Sequence, residues 1–482
     1  MPNDFASSIK FGTDGWRGII AKDFTFERLV YVAPIAAQIL EKTYGSPDKK
    51  HLVIVGYDRR FLSEEFAQAT AETVQQAGFD VLLSDTFAPT PAFSWAAYHR
   101  QALGALVITA SHNPGIYSGL KVKGAFGGSV PPAVTQAIQD RLVTAPVKAA
   151  TAGTLDTFDP WPDYCQVLQS KVDMEVINQA IHQKRLTVFV DTMHGATATG
   201  LQRLLSAEIT ELNCDRDPLF EGGAPEPLPK YLGKSIQAIQ SHRQQAPQEE
   251  AIVGFVFDGD GDRIAAMDGQ GNFLSSQILI PILIEHLAAR RKFQGEVIKT
   301  ISGSELIPQV ADLYQLPLHE TPIGYKYIAD YMLAAESVLI GGEESGGIGY
   351  GNHIPERDGL LSALYLLEAA AQTGQDLSHL YQQLQTQTGF TSFYDRIDLP
   401  LSSEADKQKL IDQLQTAPFS QVLDQKVVDV LSIDGFKFSL ADQSWLLVRF
   451  SGTEPVLRLY CESHHPDRVS KILAWAKDWA LR

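Results

Sequence analysis

Three aspartates that alternate with glycines, directly after an apolar run, are the feature that most constrains this chain. The run is Ala251–Phe257, and the aspartates are Asp258, Asp260 and Asp262. A short apolar run closed by a glycine-rich turn is typical of a buried strand in an α/β sheet. Carboxylate oxygens at this spacing can converge on a hard cation such as Mg²⁺. The segment therefore predicts a strand that ends in a candidate magnesium loop.

An EF-hand calcium loop is the obvious competitor for this segment. That loop needs Gly at its sixth position and Glu at its twelfth. Counted from Asp258, these positions hold Arg263 and Gly269, so the EF-hand is excluded. A solvated acidic turn remains the alternative when the segment is taken alone, because turns favour Asp and Gly.

Apolar runs that close in polar or glycine-rich turns recur along most of the chain. Near the start, His51–Val55 precedes a helical pattern in which Ser63 suits the N-cap and Gly78 suits the end. Strands that alternate with helices in this way indicate α/β domains with mostly parallel sheets. The further runs of this kind are Val81–Leu83, Ala105–Ile108, Leu186–Val190 and Val338–Ile340.

The last part of the chain has a different pattern. Beyond about Ser392 we expect a hairpin that turns at Asp434-Gly435 and a closing amphipathic helix from Asp467. Strands are predicted at Trp445–Phe450 and Val456–Cys461. This order of elements indicates a small α+β domain. The stretches Thr144–Thr157 and Gln372–Thr391 are predicted as the first and last domain boundaries of a chain whose 482 residues suit three or four domains.

Charge and cysteine content narrow the partners and the compartment. The net charge of -17 opposes binding to nucleic acid or to an anionic membrane. No apolar stretch approaches the roughly 20 residues that span a bilayer, and the N-terminus lacks the pattern of a secretory signal. The widely separated Cys165, Cys214 and Cys461 argue against a disulfide framework. We expect a cytoplasmic protein, in which an anionic small substrate would need a local basic pocket.

A candidate reactive hydroxyl lies at the end of another predicted strand. Ser111 follows the run Ala105–Ile108, at the carboxyl end of a strand, where open α/β sheets commonly bind ligands. Ordinary turn chemistry is the alternative, with Ser111 and Asn113 bonded to the backbone and Pro114 setting the turn.

Two further loops carry groups suited to a phosphorylated sugar. Gly341–Gly347 offers carboxylate and hydroxyl groups that can bond sugar hydroxyls, although a structural glycine-rich turn is the alternative. Arg449–Pro455 joins two predicted strands, and Arg458 lies shortly beyond it. A guanidinium, hydroxyls and loop amides form a credible phosphate cradle, and a connecting loop with surface arginines is the alternative.

Taken in chain order, five segments resemble the α-D-phosphohexomutase superfamily. They are Phe11–Gly18, the Ser111 loop, the aspartate loop, the Glu343 loop and the Arg449 loop, and the match spans nearly the entire chain. The resemblance implies three similar α/β domains with mixed, mostly parallel sheets and a smaller α+β C-terminal domain around a central cleft. We place the phosphoserine-bearing, metal-binding, sugar-recognition and phosphate-binding domains at residues 1–157, 158–270, 271–387 and 388–482.

The resemblance also implies roles for individual residues. Ser111 would carry the transferable phosphoryl group, and its phosphate would bind Mg²⁺ together with the three aspartates. Arg17 and Lys121 would act beside it, and Arg263 would contact the substrate, because this anionic cluster creates a role for nearby cations. Glu343 and Ser345 would grip sugar hydroxyls. The residues that would hold the phosphate not being transferred are Arg449, Ser451, Gly452, Thr453 and Arg458.

These roles imply an enzyme that interconverts hexose 1-phosphate and hexose 6-phosphate through phosphoserine and a hexose 1,6-bisphosphate intermediate. Many bacterial phosphomannomutases and phosphoglucosamine mutases place His where this chain has Gly347, which puts an imidazole acid/base at this position in doubt. The Glu343–Gly346 sequence looks more like phosphoglucomutases, and so does Thr321–Lys326, where Gly324, Tyr325 and Lys326 would select the sugar. The sequence therefore favours glucose.

Several rival functions remain open from the sequence. Within the family, the substrate can be mannose or glucosamine phosphate, or the reaction can be net synthesis of glucose 1,6-bisphosphate from a separate phosphoryl donor. A non-catalytic phosphosugar-binding or regulatory protein is a different class, but it leaves unexplained why Ser111 occurs with all three aspartates. Neither the oligomeric state nor the phosphorylation of Ser111 is indicated.

Overall fold

Four β-sheets follow one another along the chain, and helices flank each of them. The structure is a computed structural model, and it describes residues 8–12, 15–46, 50–143, 150–451 and 455–481. Within these ranges no helix has the length and apolar character that a membrane crossing requires. Cys165, Cys214 and Cys461 are free thiols.

The first sheet has seven strands in the order β1-β2-β6-β5-β3-β4-β7. The strands are β1 Phe11–Gly12, β2 Gly15–Ile19, β3 Leu52–Tyr57, β4 Asp80–Ser84, β5 Gly104–Ile108, β6 Tyr117–Gly124 and β7 Leu155–Phe158. Its helices are α1 Phe26–Tyr44, α2 Ser63–Gln76, α3 Thr90–His99 and α4 Pro132–Arg141. The predicted boundary after residue 157 falls inside β7, which pairs with β4.

The second sheet has five strands in the order β12-β11-β10-β8-β9. The strands are β8 Leu186–Asp191, β9 Thr210–Leu212, β10 Ala251–Phe257, β11 Ile264–Met267 and β12 Phe273–Leu274. The helices are α5 Trp161–Gln169, α6 Met174–His182, α7 Gly200–Leu204 and α8 Gly233–Arg243, with short 3₁₀ turns at Phe220–Gly222 and Pro229–Tyr231.

The third sheet has four strands in the order β14-β13-β15-β16. The strands are β13 Glu296–Thr300, β14 Leu318–Thr321, β15 Val338–Gly342 and β16 Ile348–Tyr350. The helices are α9 Ser276–Glu285, which continues as a π-helical turn at His286–Arg290, and α10 Leu306–Leu313, α11 Tyr325–Ala334, α12 Gly359–Thr373 and α13 Leu377–Thr388.

The fourth sheet is antiparallel, with six strands in the order β17-β22-β21-β20-β19-β18. The strands are β17 Phe393–Pro400, β18 Gln421–Val422, β19 Gln425–Leu431, β20 Phe436–Leu440, β21 Trp445–Phe450 and β22 Val456–Ser463. Its helices are α14 Glu404–Thr416 and α15 Pro466–Ala480. The predicted small α+β domain is confirmed, with Asp434-Gly435 in the turn between β19 and β20.

The first three sheets share one topology. In each, a central strand is parallel to its neighbour on one side and starts an antiparallel hairpin on the other. These hairpins are β5–β6, β10–β11 and β15–β16. Their turns carry Ser111, the three aspartates and Glu343, so the three loops hold equivalent positions. Strands β5 and β10 are buried along their full length, which explains their unbroken apolar sequences.

The apolar cores show how the units are joined, and the first unit has a core of its own around Trp16 and Leu106. One apolar core contains buried residues of the first three units, including Phe93, Phe255 and Leu364. The fourth unit has a separate core around Leu446 and Ile472. The first three units are therefore packed together, and the fourth is joined to them through a smaller contact.

One local expectation needs correction, and one weakly patterned stretch is more regular than its sequence indicates. Ser63 is not the N-cap of α2; Leu62 holds that place with a φ of 59°, and the Ser63 hydroxyl donates to Asp58 instead of capping the backbone. The stretch Gln372–Thr391, whose sequence is only weakly patterned, contains the regular helix α13. The apolar face of α13 was hidden among glutamines, and it buries Leu377, Leu380, Tyr381 and Leu384.

Candidate active site

The turn after β5 brings the Ser111 hydroxyl against the aspartate loop. Ser111 is 1% exposed, and its φ of 52° lies in the left-handed region that residues other than Gly adopt at a cost. Its Oγ donates a 2.9 Å hydrogen bond to Oδ2 of Asp258. The ring Nδ1 of His112 lies 3.3 Å from the same Oγ. The strained turn thus presents a hydroxyl between a carboxylate and an imidazole.

A buried arginine that the sequence did not single out holds this turn. The Arg60 guanidinium is fully buried and donates through Nη2 to the carbonyl oxygens of Ser111 and, at 2.7 Å, Asn113. Through Nη1 it donates to the carbonyls of Pro114 at 3.1 Å and Tyr117 at 3.2 Å. One rigid fork therefore fixes four carbonyls of the serine turn.

Asp58 completes this support. Its Oδ2 lies 3.2 Å from Nε of Arg60, and its Oδ1 accepts from the Ser63 hydroxyl at 2.7 Å. Burial raises the pKa of Asp58, and the Arg60 charge opposes that rise. Asp58 and Arg60 directly follow β3, so the rule that ligand sites form at the carboxyl ends of parallel strands would have pointed to them.

The three aspartates form a compact buried cluster. Asp258, Asp260 and Asp262 are all fully buried, and ligand oxygens from the three lie within 4.8 Å of one another. Nζ of Lys121 lies 2.7 Å from Oδ2 of Asp260 and 2.8 Å from Oδ2 of Asp262. The Thr90 hydroxyl donates to Asp260 at 2.6 Å. The first unit thus supplies a cation and a hydroxyl to the acidic loop of the second.

Burial and mutual repulsion set the charge state of this cluster. Burial raises the pKa of Asp258 well above its ordinary value, and the neighbouring Asp262 and Asp260 raise it further. Burial alone would also raise the pKa of Asp260, but Lys121 and Thr90 hold it below its usual range. Such a cluster is strongly stabilised by further positive charge.

The donor set fits Mg²⁺. Oδ1 of Asp260 and Oδ1 of Asp262 are buried with no hydrogen-bond partner in the part of the chain that the structure describes. Orphaned buried carboxylate oxygens are costly, and hard oxygen ligands are what Mg²⁺ prefers. The phosphate of a phosphorylated Ser111 would add oxygens beside Asp258.

Two further predicted cations, Arg17 and Arg263, contact the Ser111 turn and the aspartate loop respectively. Nη1 of Arg17, on β2, donates to Oδ1 of Asn113 in the serine turn at 2.7 Å. The Arg263 backbone donates to Oδ1 of Asp258 at 3.1 Å, and its Nε lies 3.9 Å from Oδ1 of Asp262. Arg263 also forms an antiparallel bridge with Gly347. Arg263 thereby joins the aspartate loop to the Glu343 loop.

A second arginine that the sequence did not reveal, Arg357, lies beside the Glu343 loop. Nη2 of Arg357 lies 2.6 Å from Oδ2 of Asp262, and its Nη1 lies 3.4 Å from Oε1 of Glu343. Burial raises the pKa of Glu343, and Arg357 opposes this. Arg357 directly precedes α12 and lies outside all five recognised segments, and its partner Asp262 is remote in sequence.

Arg357 also explains the glycine at position 347. A Cβ atom there would lie 2.4 Å from Cδ of Arg357 and 2.8 Å from Oε1 of Glu343. No larger side chain fits unless Arg357 moves. Ser345, in the same turn, is half-buried. A guanidinium therefore fills the space beside Glu343 where a histidine side chain would otherwise begin.

In the segment from Gly324 to Lys326, which is predicted to select the sugar, Lys326 is more exposed than Tyr325. Gly324, with a φ of 128°, begins α11. Tyr325 is buried, its hydroxyl donates to the Met332 sulfur at 3.7 Å, and its ring centroid lies 5.4 Å from the Arg357 guanidinium. Lys326 is half-buried with Nζ 4.7 Å from the Tyr327 ring. Tyr325 therefore supports Arg357 through its ring.

Two arginines of the fourth sheet share one face. Arg449 and Arg458 are direct partners in the register of β21 and β22. Nε of Arg449 donates to Oδ2 of Asp434 at 3.0 Å, and Nε of Arg458 lies 3.8 Å from Oδ2 of Asp398. Ser451 is buried at the end of β21. Like charges directly opposite are unfavourable, and an anion between them would relieve the repulsion.

Among the described residues, no hydrogen bond or ion pair joins Arg449 or Arg458 to the Ser111 turn. The structure therefore brings the Ser111 turn, the aspartate loop and the Glu343 loop together, whereas Arg449 and Arg458 lie on the fourth unit and make no direct bond to that turn. The predicted residues that fall outside the described ranges are Thr13, Asp14, Gly452 and Thr453.

Family models match all four units. They are the alpha/beta/alpha domains I, II and III and the C-terminal domain of phosphoglucomutase/phosphomannomutase, at residues 8–146, 162–271, 275–388 and 403–475. The chain belongs to the phosphoglucomutase/phosphomannomutase family, within the α-D-phosphohexomutase superfamily. It is accordingly an intramolecular phosphotransferase of the isomerase class.

Full-length relatives carry several substrate names. A phosphoglucomutase/phosphomannomutase of Thermococcus kodakarensis is 28% identical over 469 residues, which cover 96% of each chain. A phosphoglucosamine mutase of Levilactobacillus brevis is 27% identical and covers 95% of this chain and 96% of the relative. A crystal structure of a candidate phosphomannomutase from Thermus thermophilus superposes with a TM-score of 0.84 at 30% identity, covering 98% and 99% of the two chains.

Proposed function

We propose that this enzyme interconverts a hexose 1-phosphate and a hexose 6-phosphate, with the phosphoryl group carried on Ser111 and Mg²⁺ held by Asp258, Asp260 and Asp262. Family membership gives the class of reaction. The observation that carries the finer assignment is the 2.9 Å hydrogen bond from Ser111 Oγ to Asp258, within a cluster of three fully buried carboxylates. A serine with a purely structural role would not need three buried carboxylates beside it.

In the proposed cycle, a hydroxyl of the bound hexose monophosphate attacks the phosphorus of phosphorylated Ser111. The bond from phosphorus to Ser111 Oγ breaks, the new bond to the sugar oxygen forms, and the proton of the attacking hydroxyl ends on Oγ. The products are a hexose 1,6-bisphosphate and the free Ser111 hydroxyl. After the bisphosphate turns, Ser111 takes the other phosphoryl group. Bound Mg²⁺ would supply positive charge to the phosphoryl oxygens.

The chain's own residues would position these groups. Arg60 holds the serine turn, and Lys121 keeps Asp260 and Asp262 in place. Burial and the charges of Arg263 and Arg17 lower the pKa of His112 to about 2. The imidazole next to Ser111 is therefore uncharged, and its Nδ1 lies within hydrogen-bond distance of Oγ. Positioning and electrostatics of this kind account for most of phosphoryl-transfer catalysis.

The identity of the sugar rests on two different observations. Relatives named phosphoglucosamine mutase or phosphomannomutase favour glucosamine or mannose phosphate over the glucose that the sequence favours, and the Thermococcus relative carries the name of phosphoglucomutase as well as phosphomannomutase. The packing of the Glu343 loop is the observation that keeps glucose as the second candidate. In that loop the Arg357 side chain fills the space beside Glu343, so that position 347 has no room for an imidazole.

The expected setting follows from simpler features. Free thiols at Cys165, Cys214 and Cys461 and a net charge of -17 support a cytoplasmic enzyme whose partner is a phosphorylated hexose. Neither nucleic acid nor a membrane is an expected partner.

One assay tests the proposed function. Purified enzyme is given the 1-phosphates of glucose, mannose and glucosamine, each with Mg²⁺ and with or without the matching hexose 1,6-bisphosphate. We expect 6-phosphate to form from at least one sugar, to depend on Mg²⁺ and to be lost in Ser111→Ala. Turnover that is unchanged in Ser111→Ala would refute the assignment, and binding without turnover of any sugar would favour a phosphosugar-binding protein.

A further inference from the structure

One of the carboxylates at the junction of the third and fourth units, that of Asp434, contacts two proposed substrate-binding segments. Oδ2 of Asp434 accepts a 2.9 Å hydrogen bond from the backbone N–H of Ile323 and a 3.0 Å bond from Nε of Arg449. Ile323 belongs to the loop proposed to select the sugar, and Arg449 is the proposed anchor of the distal phosphate. The same oxygen therefore touches both.

The turn that carries Asp434 is shaped to lie against Arg449. Gly435 follows it with a φ of 86°, a conformation that Gly adopts without strain. A Cβ atom at Gly435 would lie 2.5 Å from the carbonyl oxygen of Val448 and 3.0 Å from Cα of Arg449. Only glycine lets the turn approach β21 this closely, and this approach brings Asp434 within reach of the guanidinium.

Apolar packing holds the two partners of Asp434 together. Ile323 packs against a small core that Ile301 forms with three residues of the fourth sheet, Trp445, Leu447 and Tyr460. The Ile323 amide therefore has a defined position relative to β21. A charged acceptor between this amide and a guanidinium makes hydrogen bonds that are stronger than neutral ones.

The geometry of the Arg449 bond leaves its phosphate-binding edge available. The bond to Asp434 uses Nε, and the two Nη groups are the ones that suit paired bonds to two phosphate oxygens. Burial alone would lower the pKa of Arg449, whereas Asp434 raises it. Asp434 thus fixes the direction of the guanidinium without consuming the groups that would hold phosphate.

We propose that Asp434 is a positioning residue that fixes the Arg449 guanidinium and ties it, through the Ile323 amide, to the sugar-selecting loop. This inference rests on the proposed role of Arg449. Recognition of the sugar and capture of the distal phosphate then depend on one another. Loss of the Asp434 carboxylate weakens the grip on phosphate and also reduces the discrimination between hexoses.

The experiment combines single and double variants. Asp434→Ala, Asp434→Asn, Arg449→Ala and the Asp434→Ala/Arg449→Ala pair are compared with the parent. The control is Asp429→Ala, since Asp429 is an exposed aspartate on β19 of the same sheet. The measurements are kcat and KM for two hexose 1-phosphates and circular dichroism of each variant.

We expect Asp434→Ala to raise KM about tenfold with a smaller change in kcat, because a hydrogen bond to a charged group is worth roughly that factor. Asp434→Asn, which keeps an acceptor oxygen but no charge, should show a smaller increase. The ratio of kcat/KM between the two sugars should move toward one. In the Arg449→Ala background, removal of Asp434 should add less than about twofold, because coupled residues are not additive. Asp429→Ala should match the parent.

The outcomes separate this inference from the proposed function. Parental KM values in Arg449→Ala would refute the anchor itself, and with it the inference. Large effects of Arg449→Ala together with parental behaviour in both Asp434 variants would refute the positioning role alone. Independent, multiplying losses in the double variant would show that Asp434 only stabilises the domain junction. If Asp434→Ala does not fold, the near-isosteric Asp434→Asn decides through its KM and its sugar ratio.

Discussion

The two ends of the proposed substrate site are built differently. At the reacting end, Ser111 is 1% exposed and touches the fully buried Asp258. At the anchor end, the side chains of Arg449 and Arg458 are 16% and 34% exposed. Three units that share one apolar core contribute to the first end, whereas the second end lies on the fourth unit, whose sheet and helices contribute none of their described residues to that shared core.

This difference matches the demands of a reaction in which the substrate turns around. The reacting groups must keep their positions through both transfers, because small misplacement is costly in a positioned reaction. The distal phosphate has to be held, released and held again in the other orientation. Buried charge networks suit the first task, and partly exposed arginines on a separate unit suit the second. Substitutions at the reacting end should therefore lower kcat, and those at the anchor end should raise KM.

The largest effect should come from Asp260→Ala. Loss of one carboxylate from the metal cluster should lower kcat by about 10²- to 10³-fold, because a bound cation supplies several kcal/mol to the transition state. The remaining activity should need more Mg²⁺. The measurement is turnover across a magnesium titration, with Asp215→Ala as the control, since Asp215 is an exposed aspartate of the same unit. Equal activity of Asp260→Ala and parent at every Mg²⁺ concentration would refute the metal site.

A smaller loss of kcat is expected for Arg60→Lys. Lysine keeps the charge but cannot bond four carbonyls at once, so the serine turn should shift and kcat should fall by about 10- to 100-fold. KM should change little, since Arg60 is fully buried. The matched control is Arg59→Lys, because Arg59 donates to the Cys214 carbonyl and not to the serine turn. A rise in KM with parental kcat would contradict the assignment of Arg60 to the reacting end of the site.

The smallest effect should be that of Arg449→Lys. Lysine retains the charge but loses the paired bonds to phosphate, so KM should rise about tenfold while kcat stays within about threefold. More hexose 1,6-bisphosphate should escape into solution, because it is held less firmly while it turns. Steady-state kinetics and bisphosphate release are measured together, with Arg468→Lys on α15 as the control. Parental values of both quantities would mean that Arg449 does not hold the distal phosphate.

Sequence reasoning succeeded where the signal is local. The turns of Ser111, Asp258 and Glu343 each directly follow an apolar run, and these runs became β5, β10 and β15. The rule that ligands bind at the carboxyl ends of parallel strands pointed to the Ser111 loop, and the structure shows that the other two loops hold equivalent positions in their sheets. The hairpin at Asp434-Gly435 was also predictable, since that dipeptide is a strong turn signal.

The groups that sequence reasoning missed depend on contacts between distant segments. Arg357 reaches Asp262 across 95 positions, and Arg60 reaches the Ser111 carbonyl across 51. Ser63 resembled an N-cap, but its hydroxyl serves the buried Asp58 instead. Ser63 and Asp58 are close in sequence, but the local helix pattern favoured a backbone partner over the carboxylate. For Arg357 and Arg60 the partner is set by tertiary packing between distant segments. The same limit applies to Asp434, whose two partners come from different units.

The most direct test of the account is the location of the transferable phosphoryl group. Parent enzyme and Ser111→Ala are incubated with hexose 1,6-bisphosphate and Mg²⁺, freed of ligand and examined by intact-protein mass spectrometry with peptide mapping. The account predicts one added phosphoryl group on the parent, mapped to Ser111, which transfers to added hexose monophosphate, and none on Ser111→Ala. A phosphoryl group that persists on Ser111→Ala with full turnover would contradict it.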